Sequence, residues 1–229
     1  MKIFAHRGAS GEAAENSLEA IQKAIEIGVD GIEFDCLLTK DKVPVVTHYD
    51  DLRVLFKIEG FVHDKNWHEL EPLGIPTLTA VLEQIKPSSV LAIFDIKSQP
   101  NLMESSPYIV AGLAQEILPS HRILLTSFYW RHLRTLKKFF PRLERSLIIS
   151  KSAFKLVPLA IFDKFLGVRA IHPLMTWLTP ELVQKWHKRG FKVHAWVANT
   201  AEELKRCEAL KVDGVFTDNA RFAREEYGR

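Results

Sequence analysis

Two acidic residues, Glu33 and Asp35, alternate with apolar residues in the strand-like segment GIEFDCL, which begins at Gly31. Side chains two positions apart on a strand point to the same face, so both carboxylates enter one space. Carboxylates that close repel each other, and a hard cation such as Mg²⁺ or Ca²⁺ removes the conflict. The alternative is that one of the acids forms an interior salt bridge with Arg7 or Lys97.

A third carboxylate favours the metal site over the salt bridge. Asp95 lies near the end of the apolar segment LAIFDIK and offers another oxygen ligand. Oxygen ligands alone suit Mg²⁺ or Ca²⁺ better than zinc. The nine histidines contain no HxH or HExxH spacing, which disfavours a zinc hydrolase.

Cationic and imidazole side chains accompany the acids. Arg7 and Lys97 suit an anionic substrate, and phosphate fits both. His6 and His48 can supply a general acid and a general base near neutral pH. A single histidine at a strand end is more often a hydrogen-bonded structural ring. Metal, cations and two histidines together indicate phosphoester cleavage.

These polar residues recur where strand-like segments end. About eight apolar segments alternate with segments of helical periodicity in 229 residues, a length that suits a (β/α)₈ barrel. Such barrels carry their chemistry at the C-terminal ends of the strands. The sequence therefore predicts an α/β protein with a TIM-type (β/α)₈ barrel as one domain, 1–229. A short insertion, at about 49–75, is expected after the strand ending at His48.

Capping signals mark several predicted helices. Asn16 is the expected N-cap of the first helix, and Gly28 its end. Thr179 followed by a proline predicts another start, and Thr200 with Glu203 predicts a capping box.

Composition excludes some classes of protein. A net charge of +3 with no basic block gives no reason to expect nucleic acid as a partner. Cys36 and Cys207 lie far apart, and buried thiols are favoured over a disulfide. The N-terminus MKIFAHRG is not expected to be a signal peptide, and no apolar run approaches the roughly 18 residues of a membrane span. A cytoplasmic protein is expected; the sequence does not predict the oligomeric state.

Six segments carry a resemblance that runs from Ile3 to Asp218. In this order the chain resembles the glycerophosphodiester phosphodiesterase family. The segments are AHRGASGEAAENSLEA, GVDGIEFDCLLTKDKVPVVTHYDDL, GIPTLTAVLE, FDIK, LTPELVQKWHKRGFKVHAWVAN and GVFTD.

The resemblance implies a TIM-type barrel, a divalent metal, and hydrolysis of glycerophosphodiesters to glycerol 3-phosphate and an alcohol. It implies a catalytic histidine pair, a phosphate-binding arginine, three metal ligands followed by a lysine, and an aromatic wall for the glycerol moiety. The matching residues are His6 and His48, then Arg7, then Glu33, Asp35, Asp95 and Lys97, and finally Trp196.

The chain departs from the family pattern at three positions. Ala14 replaces a usual proline, and Tyr49 follows the second histidine where aspartate is usual, with Asp50 one later. Asp95 stands where glutamate is usual, and the glutamate side chain is one methylene longer. Sphingomyelinase-D-type phospholipases D resemble the chain in having aspartate there. The alternatives are therefore a phospholipase D acting on lysophospholipids and a catalytically silent phosphodiester-binding barrel.

Five other residues near the predicted site have open roles. Glu15 and Asn16 are expected to orient the loop around the site, although helix capping explains Asn16 equally well. Asp218 is expected to support Arg7 or a histidine. His172 is assigned to the loop above the site, as a substrate contact or a structural residue. Ser127 either touches phosphate or ends a strand, with the second favoured.

The segment 151–168 is rich in apolar residues. The favoured interpretation is a barrel helix that packs on the strands. The alternative is that Phe154, Leu156 and Val157 form an exposed lip for an acyl chain, with weak contact to a membrane surface. In that case lysophospholipids would be substrates beside glycerophosphodiesters.

Overall fold

Nine strands form one sheet in the computed structural model, which describes residues 1–150 and 165–227. Eight of them are parallel, and β1 pairs with both β2 and β9, which closes the sheet into the predicted TIM-type barrel. The order around the barrel is β1-β9-β8-β7-β6-β5-β4-β2. The strands are β1 Lys2–His6, β2 Gly31–Leu38, β3 Pro44–Val46, β4 Leu91–Ile96, β5 Ile123–Ser127, β6 Glu144–Ile149, β7 Ala170–Pro173, β8 Lys192–Ala195 and β9 Gly214–Thr217.

The strand β3 is not part of the barrel wall. It runs antiparallel to β2, with Val46 opposite Cys36, and forms a short hairpin outside the eight parallel strands. The predicted strand ending at His48 is therefore shorter than expected, and His48 lies two residues beyond its end. The hairpin nevertheless returns the chain to the mouth of the barrel, beside the end of β2.

Nine α-helices are found in the described ranges, mostly between consecutive strands. The first begins after Ser17, whose hydroxyl accepts from the Ala20 amide, so the predicted cap at Asn16 is wrong by one residue. The αL end at Gly28, the cap at Thr179 and the capping box at Thr200 are confirmed. The helices are α1 Leu18–Ile27, α2 Leu52–Phe56, α3 Trp67–Leu70, α4 Leu78–Ile85, α5 Ser105–Ile117, α6 Trp130–Phe139, α7 Pro180–His187, α8 Ala201–Ala209 and α9 Ala220–Tyr227.

The insertion at 49–75 contains α2 and α3 with two 3₁₀ turns, so it is more regular than the sequence indicated. It has its own small core, in which its apolar side chains pack on β2 and β3. That core fixes the segment that follows His48 against the barrel. Its buried residues are Leu37, Val45, Leu52, Val62, Leu70 and Ile75.

The interior of the barrel is filled below the mouth by four apolar side chains, Phe4, Ile93, Leu124 and Phe216. Phe4 needs space from a neighbouring strand: a Cβ at Gly214 would lie 2.5 Å from its ring. This apolar layer fills the barrel below the mouth. The polar residues one step further along the strands therefore line a cavity rather than a channel.

The remaining predictions concern the cysteines, a membrane span, the domain count and the apolar lip. Cys36 and Cys207 are both free and buried, as expected. No helix in 1–150 or 165–227 is long and apolar enough to cross a membrane. The single-domain assignment stays a prediction, and the predicted lip at Phe154, Leu156 and Val157 lies outside the described residues.

Candidate active site

Three buried carboxylates meet at the mouth of the barrel. Glu33 and Asp35 lie on β2 and Asp95 on β4, and the register pairs Asp35 directly with Asp95. One oxygen of each residue lies within 4.8 Å of the others. The alternation on β2 thus directs both acids inward, as the sequence predicts, and the neighbouring strand adds the third.

Lys97 joins two of these acids. Its ammonium lies 2.7 Å from Asp35 Oδ1 and 2.5 Å from Asp95 Oδ2. The salt-bridge alternative therefore holds for part of the cluster. It does not use every oxygen, because Asp95 Oδ1 is buried with no hydrogen-bond partner.

Burial and charge separate the three carboxyl groups. Burial, together with the negative charge of Asp35, raises the pKa of Glu33 to about 8. Burial also raises the pKa of Asp95, although Lys97 opposes it. Burial also disfavours the charged form of Asp35, but the positive charges of Lys97 and Arg7 and the hydrogen bond from Lys97 together outweigh it and lower its pKa. The raised pKa values of Glu33 and Asp95 mean that the cluster resists full ionisation with Lys97 alone, and a cation bound there would favour the ionised carboxylates.

Arg7 is held by its backbone and its side chain. Its φ is +59°, in the left-handed region. That conformation directs the Arg7 amide to donate to Glu33 Oε2 at 3.0 Å. The guanidinium donates to Glu15 Oε2 at 2.7 Å, and its Nε lies 3.3 Å from Asp35 Oδ2. Glu15 therefore orients the Arg7 side chain.

His48 lies against the same guanidinium. Nη2 of Arg7 lies 3.1 Å from Nε2 of His48, and because the guanidinium can only donate, this nitrogen accepts. The proton of the ring is then on Nδ1, which is buried without a partner. Burial, with the charges of Lys97 and Arg7, lowers the pKa of His48 to about 4. Tyr49 packs edge to face on the ring, with centroids 4.2 Å apart.

His6 has an anionic partner instead. Its Nδ1 lies 2.7 Å from Asp218 Oδ1. Burial disfavours the charged ring, but the bond to Asp218 and the charge of Glu33 outweigh it and raise the pKa of His6. Asp218 also accepts from Asn199 at 2.6 Å and from Ser10 at 3.1 Å. These donors and His6 outweigh burial and lower the pKa of Asp218 to about 2.

The loop after β1 contributes a residue whose role the sequence left open. Asn16 is buried, donates to Asp35 Oδ2 at 2.8 Å and accepts from the Asp35 amide at 3.1 Å. It therefore positions Asp35, from a left-handed backbone conformation with φ +60°. Gly8 lets this loop pack on α1, since a Cβ there would lie 2.7 Å from the Ala20 backbone.

Of these residues, the three carboxylates, Lys97, Arg7 and the two histidines line one cavity of about 300 Å³. Its two halves differ in chemistry. The side formed by β1, β2 and β4 is charged, whereas the side formed by β5 to β9 is largely apolar. Trp196 and His172 are among the predicted substrate-binding residues, whereas the other residues of this side were not predicted. The second side consists of Thr126, Phe128, Ile148, His172, Trp196 and Phe216.

His172 is placed differently from the prediction. It lies within β7, not on a loop above the site, and it is buried in the cavity wall. Its Nε2 lies 3.1 Å from Nδ1 of His194, and its carbonyl accepts from the Trp196 indole at 2.8 Å. Burial and the neighbouring His194 lower the pKa of His172 well below its ordinary value, so the ring is neutral.

Ser127 has the structural role that was favoured. It is fully buried, donates to the Ile96 carbonyl at 2.7 Å and lies 2.9 Å from Nδ1 of His132. Burial lowers the pKa of His132 to about 4. Neither residue lines the cavity.

The chain is similar to known phosphodiesterases. It matches the glycerophosphoryl diester phosphodiesterase family over residues 6–221. It is 31% identical to a glycerophosphodiester phosphodiesterase of Caldanaerobacter subterraneus subsp. tengcongensis, over 95% of this chain and 93% of that protein. It is 28% identical to human lysophospholipase D GDPD1, over 95% of this chain and 83% of that protein.

The fold is similar to that of an Oleispira antarctica phosphodiesterase solved in complex with the product sn-glycerol-3-phosphate. The TM-score is 0.90 at 23% identity, and the match covers 100% of this chain and 97% of that one. The predicted hydrolase class and barrel are thus confirmed, and the chain belongs to the glycerophosphoryl diester phosphodiesterase family.

Proposed function

We propose that this protein hydrolyses glycerophosphodiesters to glycerol 3-phosphate and an alcohol, with a divalent metal and two histidines. One observation carries the proposal: three buried carboxylates, Arg7 and both histidines line a single cavity. A silent binding barrel would have no need of two histidines with opposite environments beside a carboxylate cluster.

The carboxylate cluster fits a Mg²⁺ or Ca²⁺ ion. Glu33, Asp35 and Asp95 would hold it. Asp95 Oδ1 is buried without a hydrogen-bond partner, so a bound cation would satisfy it. Hard cations of this class take oxygen ligands. When bound, the ion supplies positive charge that stabilises the charge developing on the phosphate.

Arg7 is the proposed phosphate ligand. Its guanidinium is hydrogen-bonded to Glu15 and His48, and a bound phosphate would compete for the same N–H donors. Lys97, held by Asp35 and Asp95, adds positive charge to the same cavity. Trp196 and the apolar side that includes His172 would contact the glycerol moiety.

The proton transfers divide between the histidines. His48 takes the proton from the attacking hydroxyl once Arg7 turns to the phosphate and releases Nε2. A new bond from that oxygen to phosphorus forms as the bond to the alcohol oxygen breaks. His6, stabilised as the cation by Asp218, gives its proton to the departing oxygen. The attacking hydroxyl is water or the glycerol hydroxyl of the substrate, which would form a cyclic phosphate first.

Lysophospholipids are a second candidate substrate class. The observation that favours them is the apolar side of the cavity, with Phe128, Ile148 and Phe216. Apolar side chains on this side suit an acyl chain, and the similarity to a human lysophospholipase D agrees with it. We also propose the cytoplasm as the site of action, because free buried Cys36 and Cys207 suit a reducing compartment.

Histidine variants test the proposal. We expect His6→Gln and His48→Gln each to lower kcat for glycerophosphocholine by roughly 100-fold or more, since a positioned acid or base contributes about that much. His121→Gln, an exposed ring at the foot of the barrel, is the control and should leave kcat unchanged. Near-normal turnover by either site variant with saturating metal would refute the assigned proton transfers.

A further inference from the structure

Three consecutive aromatic residues lie exposed beside the cavity. Phe128, Tyr129 and Trp130 follow the end of β5 and have 42%, 43% and 53% of their surface exposed. We call them the aromatic rim. Phe128 also lines the cavity and meets Trp196 edge to face, with ring centroids 5.9 Å apart. The aromatic rim is therefore continuous with the apolar side of the site.

Positive charge accompanies the aromatic rim. The guanidinium of Arg131 lies 5.6 Å from the centre of the Trp130 ring. The helix that begins there, α6, has Arg131 and Arg134 in its first half and no acidic residue. Tryptophan and tyrosine are the residues enriched where a membrane meets water, and cations beside them attract anionic headgroups.

The exposed area argues against a second copy of the chain as the occupant. Three half-exposed aromatic side chains offer on the order of 300 Å². A stable dimer needs about 600–800 Å² from each partner. A lipid surface needs less area from one contact, because aromatic insertion and headgroup attraction act together.

We propose that the aromatic rim docks the protein on an anionic phospholipid surface and thereby presents the cavity to lysophospholipids held there. This inference rests on the proposed function for its purpose, but the docking itself requires no turnover. Tyr129 and Trp130 enter the headgroup region, Arg131 pairs with lipid phosphates, and Phe128 links the surface to the cavity.

Vesicle sedimentation in EDTA tests docking apart from catalysis. We expect the protein to bind vesicles of 70% phosphatidylcholine and 30% phosphatidylglycerol. Trp130→Ser should weaken that binding roughly tenfold, and the double variant Tyr129→Ser/Trp130→Ser further, because exposed aromatic area is lost.

Phe139→Ser is the matched control. Phe139 is 51% exposed, ends the same helix and has its own cation, Lys138, 4.9 Å from its ring centre. It lies about 14 Å along the helix axis from Trp130 and away from the mouth. Its variant should bind vesicles like the parent protein.

Three results would overturn the docking proposal. They are no binding to the vesicles, equal losses in the Trp130 and Phe139 variants, and a change of oligomeric state in the Trp130 variant that accounts for its effect. Hydrolysis of soluble glycerophosphocholine should be the same in the parent and the Trp130→Ser variant. If the parent hydrolyses glycerophosphocholine but binds no vesicles, docking fails and the proposed function stands. If the parent binds vesicles but does not hydrolyse glycerophosphocholine, the docking proposal stands and the proposed function fails.

Discussion

His6 and Asp218 lie 212 positions apart in the chain, yet Nδ1 of one is 2.7 Å from Oδ1 of the other. The contact exists because β1 and β9 are hydrogen-bonded neighbours in the closed barrel: β1 ends at His6, and Asp218 directly follows β9. Closing the barrel therefore also brings His6 to the carboxylate that favours its protonated form.

The first prediction tests that pair. Asp218→Asn retains a polar contact but removes the charge that favours protonated His6, so the pKa of His6 should fall. If His6 donates the proton, kcat drops roughly 10- to 100-fold and the high-pH limb of the pH–rate profile moves to lower pH. A loss of kcat with an unmoved limb would mean that Asp218 only holds the loop.

The second prediction concerns the carboxylate cluster. Asp95→Asn should weaken Mg²⁺ or Ca²⁺ binding tenfold or more in titration calorimetry, because it removes an anionic ligand. Asp95→Glu, which restores the residue usual in the family, should bind. Asp30→Asn is the control: Asp30 accepts from the Ile3 amide at the opposite end of β1. Equal metal affinity in Asp95→Asn and the parent protein would remove Asp95 from the ligand set.

Much of this site could be predicted from short-range pattern. Alternation on β2 indicated where Glu33 and Asp35 point, and strand ends indicated where the others gather. The position of His172 could not be predicted in this way. A polar residue near a strand end has the same sequence pattern whether it is the last part of the strand or the start of the loop. The role of Asn16 was also hidden, since its bond to Asp35 depends on how the loop folds over the barrel.

The pairing of the strands was equally inaccessible in one place. Nothing in the segment at Val46 distinguishes a barrel strand from an antiparallel hairpin, because both are short apolar runs. Phe128 and Phe216 were missed as cavity residues for a related reason. Apolar side chains at strand ends usually indicate core, and only the closed barrel makes them a wall of the site.

The third prediction concerns acid stability. His132 is fully buried, and burial lowers its pKa from 6.5 to about 4. Between pH 6.5 and pH 4 the His132 ring is therefore protonated in the unfolded chain but neutral in the folded chain. The free energy of unfolding consequently falls as pH drops from about 6.5 to about 4. The shift corresponds to about 3 kcal/mol.

Chemical denaturation across that pH range measures this effect. His132→Gln should be less stable at pH 7, because the contact with Ser127 is altered, but should have a shallower pH dependence. His121→Gln, at an exposed ring, should retain the slope of the parent protein. Equal slopes in the parent protein and His132→Gln would show that His132 is not the source.

The most direct test of the central claim is release of glycerol 3-phosphate from glycerophosphocholine by protein stripped of metal with EDTA. A divalent ion held by Glu33, Asp35 and Asp95 predicts no release after stripping and recovery on addition of Mg²⁺ or Ca²⁺. Undiminished release in EDTA, or no release with either ion, would contradict it.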